Sequence, residues 1–309
     1  MNGRVAVICG NERTYALIRL MDELRKAGQD FFVLKHSDIS LYLDSKHARI
    51  FRQSSQISTA SVKGVIARVG SGESGYALTF LKQFVAEGIP VINPPQAIVN
   101  CDNKFETLQL LYKAGIEIPR TFFAYRKNTE SFEAASKIFT KKEPVLIKLL
   151  KGSGGAGISK VGHKAVADVV ETIWETGEDV HLQEFIKFAA AKGQRGRDVR
   201  VIVMGGKVIS GYQRVGRKGS FKANIHTGGE PHKYDLTEEQ KKIALKCTEA
   251  VKADYAGVDI LSSADKKQNI VIEVNSSPGF EGFESGTGVN VARRLVEFCL
   301  SKFDSDSKK

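Results

Sequence analysis

The chain has 309 residues, 42% of them hydrophobic and 26% charged, with a formal net charge of +11. This is the profile of a soluble globular protein with room for two domains or one large elaborated domain, and no apolar run approaches the ~20 residues that a membrane helix needs. The charge leaves three readings open: an acidic or phosphate-rich ligand, a partner containing nucleic acid, or solubility alone. No nucleic-acid-binding signature accompanies it, and the basic residues are spread along the chain.

Cys9, Cys101, Cys247 and Cys299 are scattered, with no CxxC pair and no metal-like spacing. They read as reduced thiols of a cytosolic protein. Met1 is followed by a strand pattern and not by a basic segment with an apolar signal helix, which also points to the cytoplasm.

Arg4–Cys9 (RVAVIC) is a short apolar run, hence a buried strand. Glu12–Ala27 has helical spacing and stops at Gly28, and Asp30–Leu34 is a second strand. A βαβ opening of this kind predicts an open parallel sheet with helices packed on it. Gly10–Asn11 does not begin a GxGxxG, so dinucleotide binding finds no support. Leu41 to Ser61 is less regular and suits short strands. Gly64–Val69 (GVIARV) is another buried strand, Tyr76–Glu87 a helix, and Pro90–Asn93 (PVIN) the start of a further strand. Arg68 and Asn93 therefore lie where strands end, the place where open α/β sheets bind ligands. The plainer alternatives are a surface ion pair for Arg68 and turn chemistry for Asn93.

A domain boundary is expected near Asn100–Asp102, dividing an N-terminal domain (1–101) from a second domain (102–303). Asn103–Ala114 is a helix carrying Lys104, Thr121–Tyr125 a strand and Thr129–Phe139 a helix. Pro144–Leu150 (PVLIKLL) is an apolar strand holding one charge, Lys148, which needs an anionic partner or must bend to the surface. Four glycines follow within Lys151–Ile158 (KGSGGAGI), a loop whose backbone N–H groups can turn toward an anion. It lacks the GK[ST] ending of a Walker A loop, and a flexible hairpin turn is the alternative.

Ala165–Glu175 is helical, and Val180–Ile186 (VHLQEFI) is a strand interrupted by Glu184. A basic loop from Lys187 to Arg197 leads into a hairpin, Asp198–Met204 and Lys207–Val215, on which Asp198 and Arg200 alternate with valines and Arg214 lies opposite. Gly216–Gly229 is a loop with Lys222, Asn224 and His226. Thr237–Ala253 is a long amphipathic helix, Asn290–Phe303 the closing helix, and 304–309 a polar tail expected to be disordered.

Between those helices, GVDIL and NIVIEVN flank a polar turn and form a second hairpin. Glu273 and Asn275 sit two apart on one strand and share a face, and Asp259 can face them from its partner. Two carboxylates and an amide oxygen beside a buried sheet call for a cation, and oxygen-only ligands suit Mg²⁺. A polar strand face whose acids pair with surface lysines is the alternative.

Taken in order, IARVGS, DNKFETLQLLYKAGIEIP, VLIKLLKGSGGAGI, LQEFIK, GRDVRV, FKANIHTGG, AGVDIL and IEVNSSPGFEGFESGTGVNVA resemble the ATP-grasp superfamily, and within it the RimK-like glutamate ligases that modify ribosomal proteins or coenzymes. The resemblance covers nearly the whole chain. It implies an N-terminal α/β domain followed by an ATP-grasp domain with ATP between two α+β subdomains, a lid (about 104–183) and a metal-bearing part (about 184–303). It implies that Asp259, Glu273 and Asn275 are metal ligands, usually for two Mg²⁺ or Mn²⁺. Lys104, Lys148, Gly154 and Gly155 match positions at the nucleotide and its phosphates. Glu184 and Phe185 match the hinge that meets adenine, Asp198 the ribose side, and Lys222, Ala223 and Asn224 a further nucleotide-contacting tripeptide. Arg200 and Arg214 match arginines facing the γ-phosphate or an acyl phosphate. The implied partners are ATP, L-glutamate and an acidic or glutamate-bearing acceptor, with relatives often dimeric or tetrameric.

Lys151, Gly154 and Thr227 depart from the family's usual residues, and the segment between Ile186 and Asp198 is longer than usual, adding Lys192, Arg195 and Arg197. These departures bear on the acceptor, for which the basic segment suggests an acidic chain, an exposed solvated loop being the alternative. A ligase for another amino acid or a carrier protein, and a nucleotide-binding regulatory protein without turnover, are the competing functions.

Overall fold

A computed structural model of the chain describes residues 3–306 apart from 71–73, 124–129, 131–137, 140–143, 151–156, 187–194, 226–227 and 264–266. In chain order the first part contains β1 (Arg4–Cys9), α1 (Tyr15–Lys26), β2 (Phe31–Lys35), β3 (Ile39–Leu43), β4 (Ala48–Arg52), β5 (Ser55–Ile57), β6 (Val62–Arg68), α2 (Ser74–Ala86) and β7 (Val91–Ile92). The order β2-β1-β6-β7 with parallel pairing throughout is the open sheet that the βαβ opening predicts. The irregular stretch forms a separate antiparallel sheet, β3-β4-β5. Helix α1 starts on Thr14, whose hydroxyl accepts from the Leu17 N–H at 3.3 Å, and it buries Leu17, Leu20 and Leu24.

Next come α3 (Pro95–Asp102), α4 (Lys104–Lys113), β8 (Thr121–Phe123), β9 (Val145–Leu149), β10 (Ile158–Val161), α5 (Val166–Glu175) and β11 (Val180–Glu184). The four strands form an antiparallel sheet, β10-β9-β11-β8. Val145, Ile147, Val180 and Leu182 point to one face and pack on Val166, Val170 and Trp174 of α5. Alternation therefore sends Leu146, Lys148, His181 and Gln183 to the other face.

The last part holds β12 (Arg197–Met204), β13 (Lys207–Val215), β14 (Glu230–Lys233), α6 (Glu238–Ala250), β15 (Tyr255–Ser262), β16 (Asn269–Asn275), α7 (Glu281–Thr287) and α8 (Val291–Asp306). Its sheet, β14-β13-β12-β15-β16, is antiparallel. Val199, Val201, Val203, Val258 and Ile260 meet Ala244, Cys247 and Val251 on the α6 side. Helix α6 opens with a capping box between Thr237 and Gln240. Helix α8 returns to the first sheet: Leu295, Val296, Cys299 and Phe303 join one core with Val5, Val7, Leu17, Leu20 and Leu24. The packing is close enough that a Cβ on Gly64 of β6 would lie 2.4 Å from the Phe303 ring.

The stretch Asn100–Asp102, near which a domain boundary is expected, is the end of α3, and the chain turns at Asn103, whose side chain caps α4. The polar tail starts later than its composition suggests, because α8 continues through Asp304–Asp306. Strand β14 and helix α7 had no apolar period to betray them. The helix expected over Thr129–Phe139 falls almost wholly outside the described residues.

Candidate active site

The alternation that sends valines to α6 sends Asp198 and Arg200 of β12 to the opposite face of the five-stranded sheet. Register places Asp198 opposite Arg214, Arg200 opposite Asp259, and Asp259 opposite Glu273. The result is a ladder of buried charge. Arg200 grips Asp259 bidentately, Nε to Oδ1 at 2.6 Å and Nη2 to Oδ2 at 2.7 Å. Arg214 grips Asp198 at 2.5 and 2.8 Å and also donates from Nη2 to Asp259 Oδ2 at 2.7 Å. Burial alone would push the Asp259 carboxyl up, but the two guanidiniums more than reverse it and hold the group at about 2. Asp198 shares Arg214 with Asp259, and burial pushes its carboxyl up. Among the described residues Nη1 of each arginine makes no hydrogen bond, and both side chains line the cleft described below.

The three metal-ligand candidates do come together on β15 and β16, with different degrees of engagement. Asp259 is wholly buried with both oxygens on arginines. The expectation that something cationic satisfies it is met by Arg200 and Arg214. Glu273 is half-buried, and its carboxylate has no hydrogen-bond or ion-pair partner among the described residues. Asn275 Oδ1 accepts from the Ser277 N–H at 2.9 Å, which leaves it a second lone pair. Among the described residues no three of His, Cys, Asp and Glu converge on a point. Glu273 and Asn275 face the cleft with open hard oxygens of the kind that suits Mg²⁺, while both oxygens of Asp259 beside them already lie on guanidiniums.

On the four-stranded sheet, Lys148 is buried and has no hydrogen-bond or ion-pair partner among the described residues. Burial brings its ammonium down to about 8, while the charges of Glu273 and Asp259 pull it back up. Lys104 begins α4, its N–H donating to the Leu150 carbonyl at 3.3 Å, and it lines the cleft. At the end of β11 the Glu184 carboxylate accepts from Arg120 Nε at 2.6 Å and from the Arg120 N–H at 2.8 Å. A ligand at this hinge would therefore meet backbone groups and the Phe185 ring. That ring packs edge-on to Phe221 at 6.1 Å and carries Lys160 Nζ 4.0 Å from its centroid. Gly154 and Gly155 lie outside the described residues, as do Lys192, His226 and Thr227.

The tripeptide Lys222, Ala223 and Asn224 runs between glycines. A Cβ on Gly196 would lie 1.9 Å from the Phe221 carbonyl oxygen, and one on Gly216 would lie 2.1 Å from that of Lys222. Ala223 is buried and Asn224 reaches the cleft.

That cleft, of about 510 Å³, opens between the C-terminal ends of β1 and β6 and the charged face of the five-stranded sheet. Asn11, Lys104, Arg200, Arg214, Glu273 and Asn275 are among the residues that line it. Cys101 lines it too, but burial pushes its thiol up to about 12, so it is no nucleophile at neutral pH.

Neither strand-end residue of the first sheet behaves as its plainer alternative had it. Among the described residues Arg68 makes no ion pair: it donates to the Pro278 carbonyl at 2.8 Å and lies 5.5 Å from the centre of the Phe280 ring. Asn93 is buried and ties the two strands of the β15–β16 hairpin together at its open end. Its Nδ2 donates to the Tyr255 and Ser276 carbonyls at 2.6 Å each, and its Oδ1 accepts from the N–H groups of Asp254 and Tyr255 at 2.8 Å each. Sequence reasoning passed over His181, which β-sheet register sets directly opposite Lys148. Its only linear signal is a polar residue in an apolar strand.

The chain matches a family model described as the RimK-like ATP-grasp domain over residues 101–299 and one described as the RimK PreATP-grasp domain over 4–98. It is 30% identical over 302 residues to the "Probable alpha-L-glutamate ligase" of Haemophilus influenzae, covering 96% of each chain. It is 33% identical over 301 residues to the protein of the same name from Marinobacter nauticus, covering 97% of this chain and 96% of the other. In fold it is similar to the ATP-grasp ligase PsnB complexed with a phosphomimetic variant of minimal precursor, Mg and ADP, with a TM-score of 0.69 and 22% identity over 97% of this chain and 99% of that one. The chain belongs to the RimK-like ATP-grasp family of carbon–nitrogen ligases, enzymes that work with ATP and Mg²⁺.

Proposed function

We propose that this protein adds L-glutamate to a carboxylate of an acceptor, at a protein C-terminus or on a coenzyme side chain, with release of ADP and phosphate. One observation carries the reading: a single cleft sets two buried guanidiniums and Lys104 beside the carboxylate of Glu273 and the amide of Asn275. Such a cleft suits a triphosphate next to the carboxylate that is to be activated.

A carboxylate does not accept an amine directly, because the departing oxygen is too basic. Transfer of the γ-phosphoryl group to the acceptor carboxylate breaks the bond to ADP and forms an acyl phosphate. The glutamate amine then attacks the carbonyl carbon, the amide bond forms, the amine loses a proton, and phosphate leaves. Lys104 and Lys148 hold the nucleotide's charge, and the Nη1 edges of Arg200 and Arg214 face the group in transfer. Asp259 and Asp198 fix those guanidiniums in place. Mg²⁺ or Mn²⁺ held by Asp259, Glu273 and Asn275 would neutralise phosphate oxygens. No side-chain nucleophile is required.

The acceptor is an acidic chain. The support is the basic segment that leads into β12, where Arg195 reaches Glu230 at 3.4 Å and Arg197 is exposed. Incubation with ATP, Mg²⁺, L-glutamate and peptides ending in glutamate tests the whole reading. ADP release together with a mass gain of one glutamyl residue is expected. Turnover only with another amino acid, or ATP binding without ADP release on any acceptor, would replace it with one of the competing functions.

A further inference from the structure

The four-stranded sheet β10-β9-β11-β8 has one face closed by α5, and its opposite face carries a group that nothing above uses. His181 of β11 lies directly across from Lys148 on β9 and from Phe123 on β8. Residues paired in this way put their side chains on one face. His181 is 1% exposed, and neither of its ring nitrogens has a hydrogen-bond partner among the described residues. Phe105 of α4 packs beside the imidazole at 6.4 Å between ring centroids and lies 5.3 Å from the Phe123 ring.

A buried polar group with no partner is unfavourable, and an aliphatic residue would pack in this strand without that cost. Burial, and after it the charges of Lys148 and Lys104, bring the imidazole down to about 3. The ring is therefore neutral at neutral pH and offers one N–H donor and one acceptor. Lys148 beside it has no hydrogen-bond or ion-pair partner among the described residues either. A neutral donor next to a buried ammonium matches one class of ligand, an anion with several acceptor oxygens.

We propose that His181 belongs to the nucleotide site, its ring N–H donating to a phosphate oxygen of the nucleotide that Lys104 and Lys148 hold. This rests on the ATP-dependent reading given above. The imidazole satisfies one phosphate oxygen without adding a third positive charge, so it orients the phosphates while ADP can still leave.

The test uses full-length protein with labelled histidine, and ADP and adenosine as probes. ADP should shift the His181 imidazole resonance and raise its titration midpoint by ~1 unit, because phosphate cancels the field of the two lysines. Adenosine should leave it in place. His181→Leu should weaken ADP binding about tenfold, as loss of one hydrogen bond to a charged group predicts. The KM for glutamate and the thermal midpoint should not fall. His181→Gln keeps an N–H donor and should recover most of the affinity. Wild-type affinity for ADP in His181→Leu, or a resonance that adenosine moves as far as ADP does, overturns the assignment while the ligase reading stands. Failure of the wild type to bind ADP at all overturns both.

Discussion

On the five-stranded sheet, Arg200, Arg214, Asp198 and Asp259 hydrogen-bond one another across neighbouring strands. On the four-stranded sheet, Lys148 and His181 also sit paired across strands and buried, yet neither has a hydrogen-bond partner among the described residues. Both sheets carry polar groups on the face away from their helix, and both keep those groups from water. They differ in where the compensation comes from. The arginines and aspartates of the five-stranded sheet are paired within the fold, so the guanidiniums are held in place before any ligand arrives. The second sheet's groups are left for an anion to complete, so part of its folding energy is withheld until binding. A ligase that must hold a triphosphate and then release ADP benefits from one fixed wall and one that the ligand completes.

The comparison can be broken at its strongest point first. Arg214→Leu leaves Asp198 without its guanidinium and Asp259 with only Arg200. It should cost about 3–5 kcal/mol in chemical denaturation and abolish ADP release. A loss below ~1 kcal/mol would mean that the ladder is not a unit. Asn93→Leu comes next. It strands the Tyr255 and Ser276 carbonyls and the N–H groups of Asp254 and Tyr255, so unfolding in urea should show a loss of about 2–4 kcal/mol.

The same experiment on the second sheet should change sign. Lys148 has a folded value of about 8 against 10.5 for the free group. A lowered lysine value means that the charged form is penalised in the folded state. The penalty is full below about 8 and fades as pH rises toward 10.5, so wild-type stability should climb across that window. Lys148→Met removes the penalty and should gain about 1–3 kcal/mol near neutral pH, with no climb at higher pH. It should lose ADP affinity all the same, and ADP affinity of the wild type should fall as pH passes about 8. Destabilisation by Lys148→Met would erase the contrast between the sheets. The smallest effect concerns the basic segment before β12: neutralising Lys192, Arg195 and Arg197 together should raise the acceptor KM ~2–5-fold at low salt and leave the KM for ATP unchanged.

Much of the scaffold was legible in linear order. Val5–Cys9 (VAVIC) and the GVIA before Arg68 are unbroken apolar runs because parallel strands are covered on both faces, and the valines alternating with Asp198 and Arg200 show which side of β12 meets α6. Glu273 and Asn275 share a face by strand period alone, and Asp259 could be placed opposite them because a polar turn makes the hairpin. Asn93 and Arg68 were visible as strand-end polar residues, but their partners lie 161 to 210 positions away, beyond any local pattern. Strand β14 was missed because an edge strand with little apolar surface has no period to read.

By itself the sequence determined which residues carry charge into the interior, since a lysine or aspartate inside an apolar strand has few ways to escape it. It also determined the order of strands and helices, because hydrophobic period is a local property. Only the tertiary structure decided which buried charges neutralise each other and which stay open. That outcome depends on register between strands far apart in the chain: a shift of one residue in β12 would turn Arg200 from Asp259 toward α6. Through the same register, His181 meets Lys148 and Arg214 meets two carboxylates.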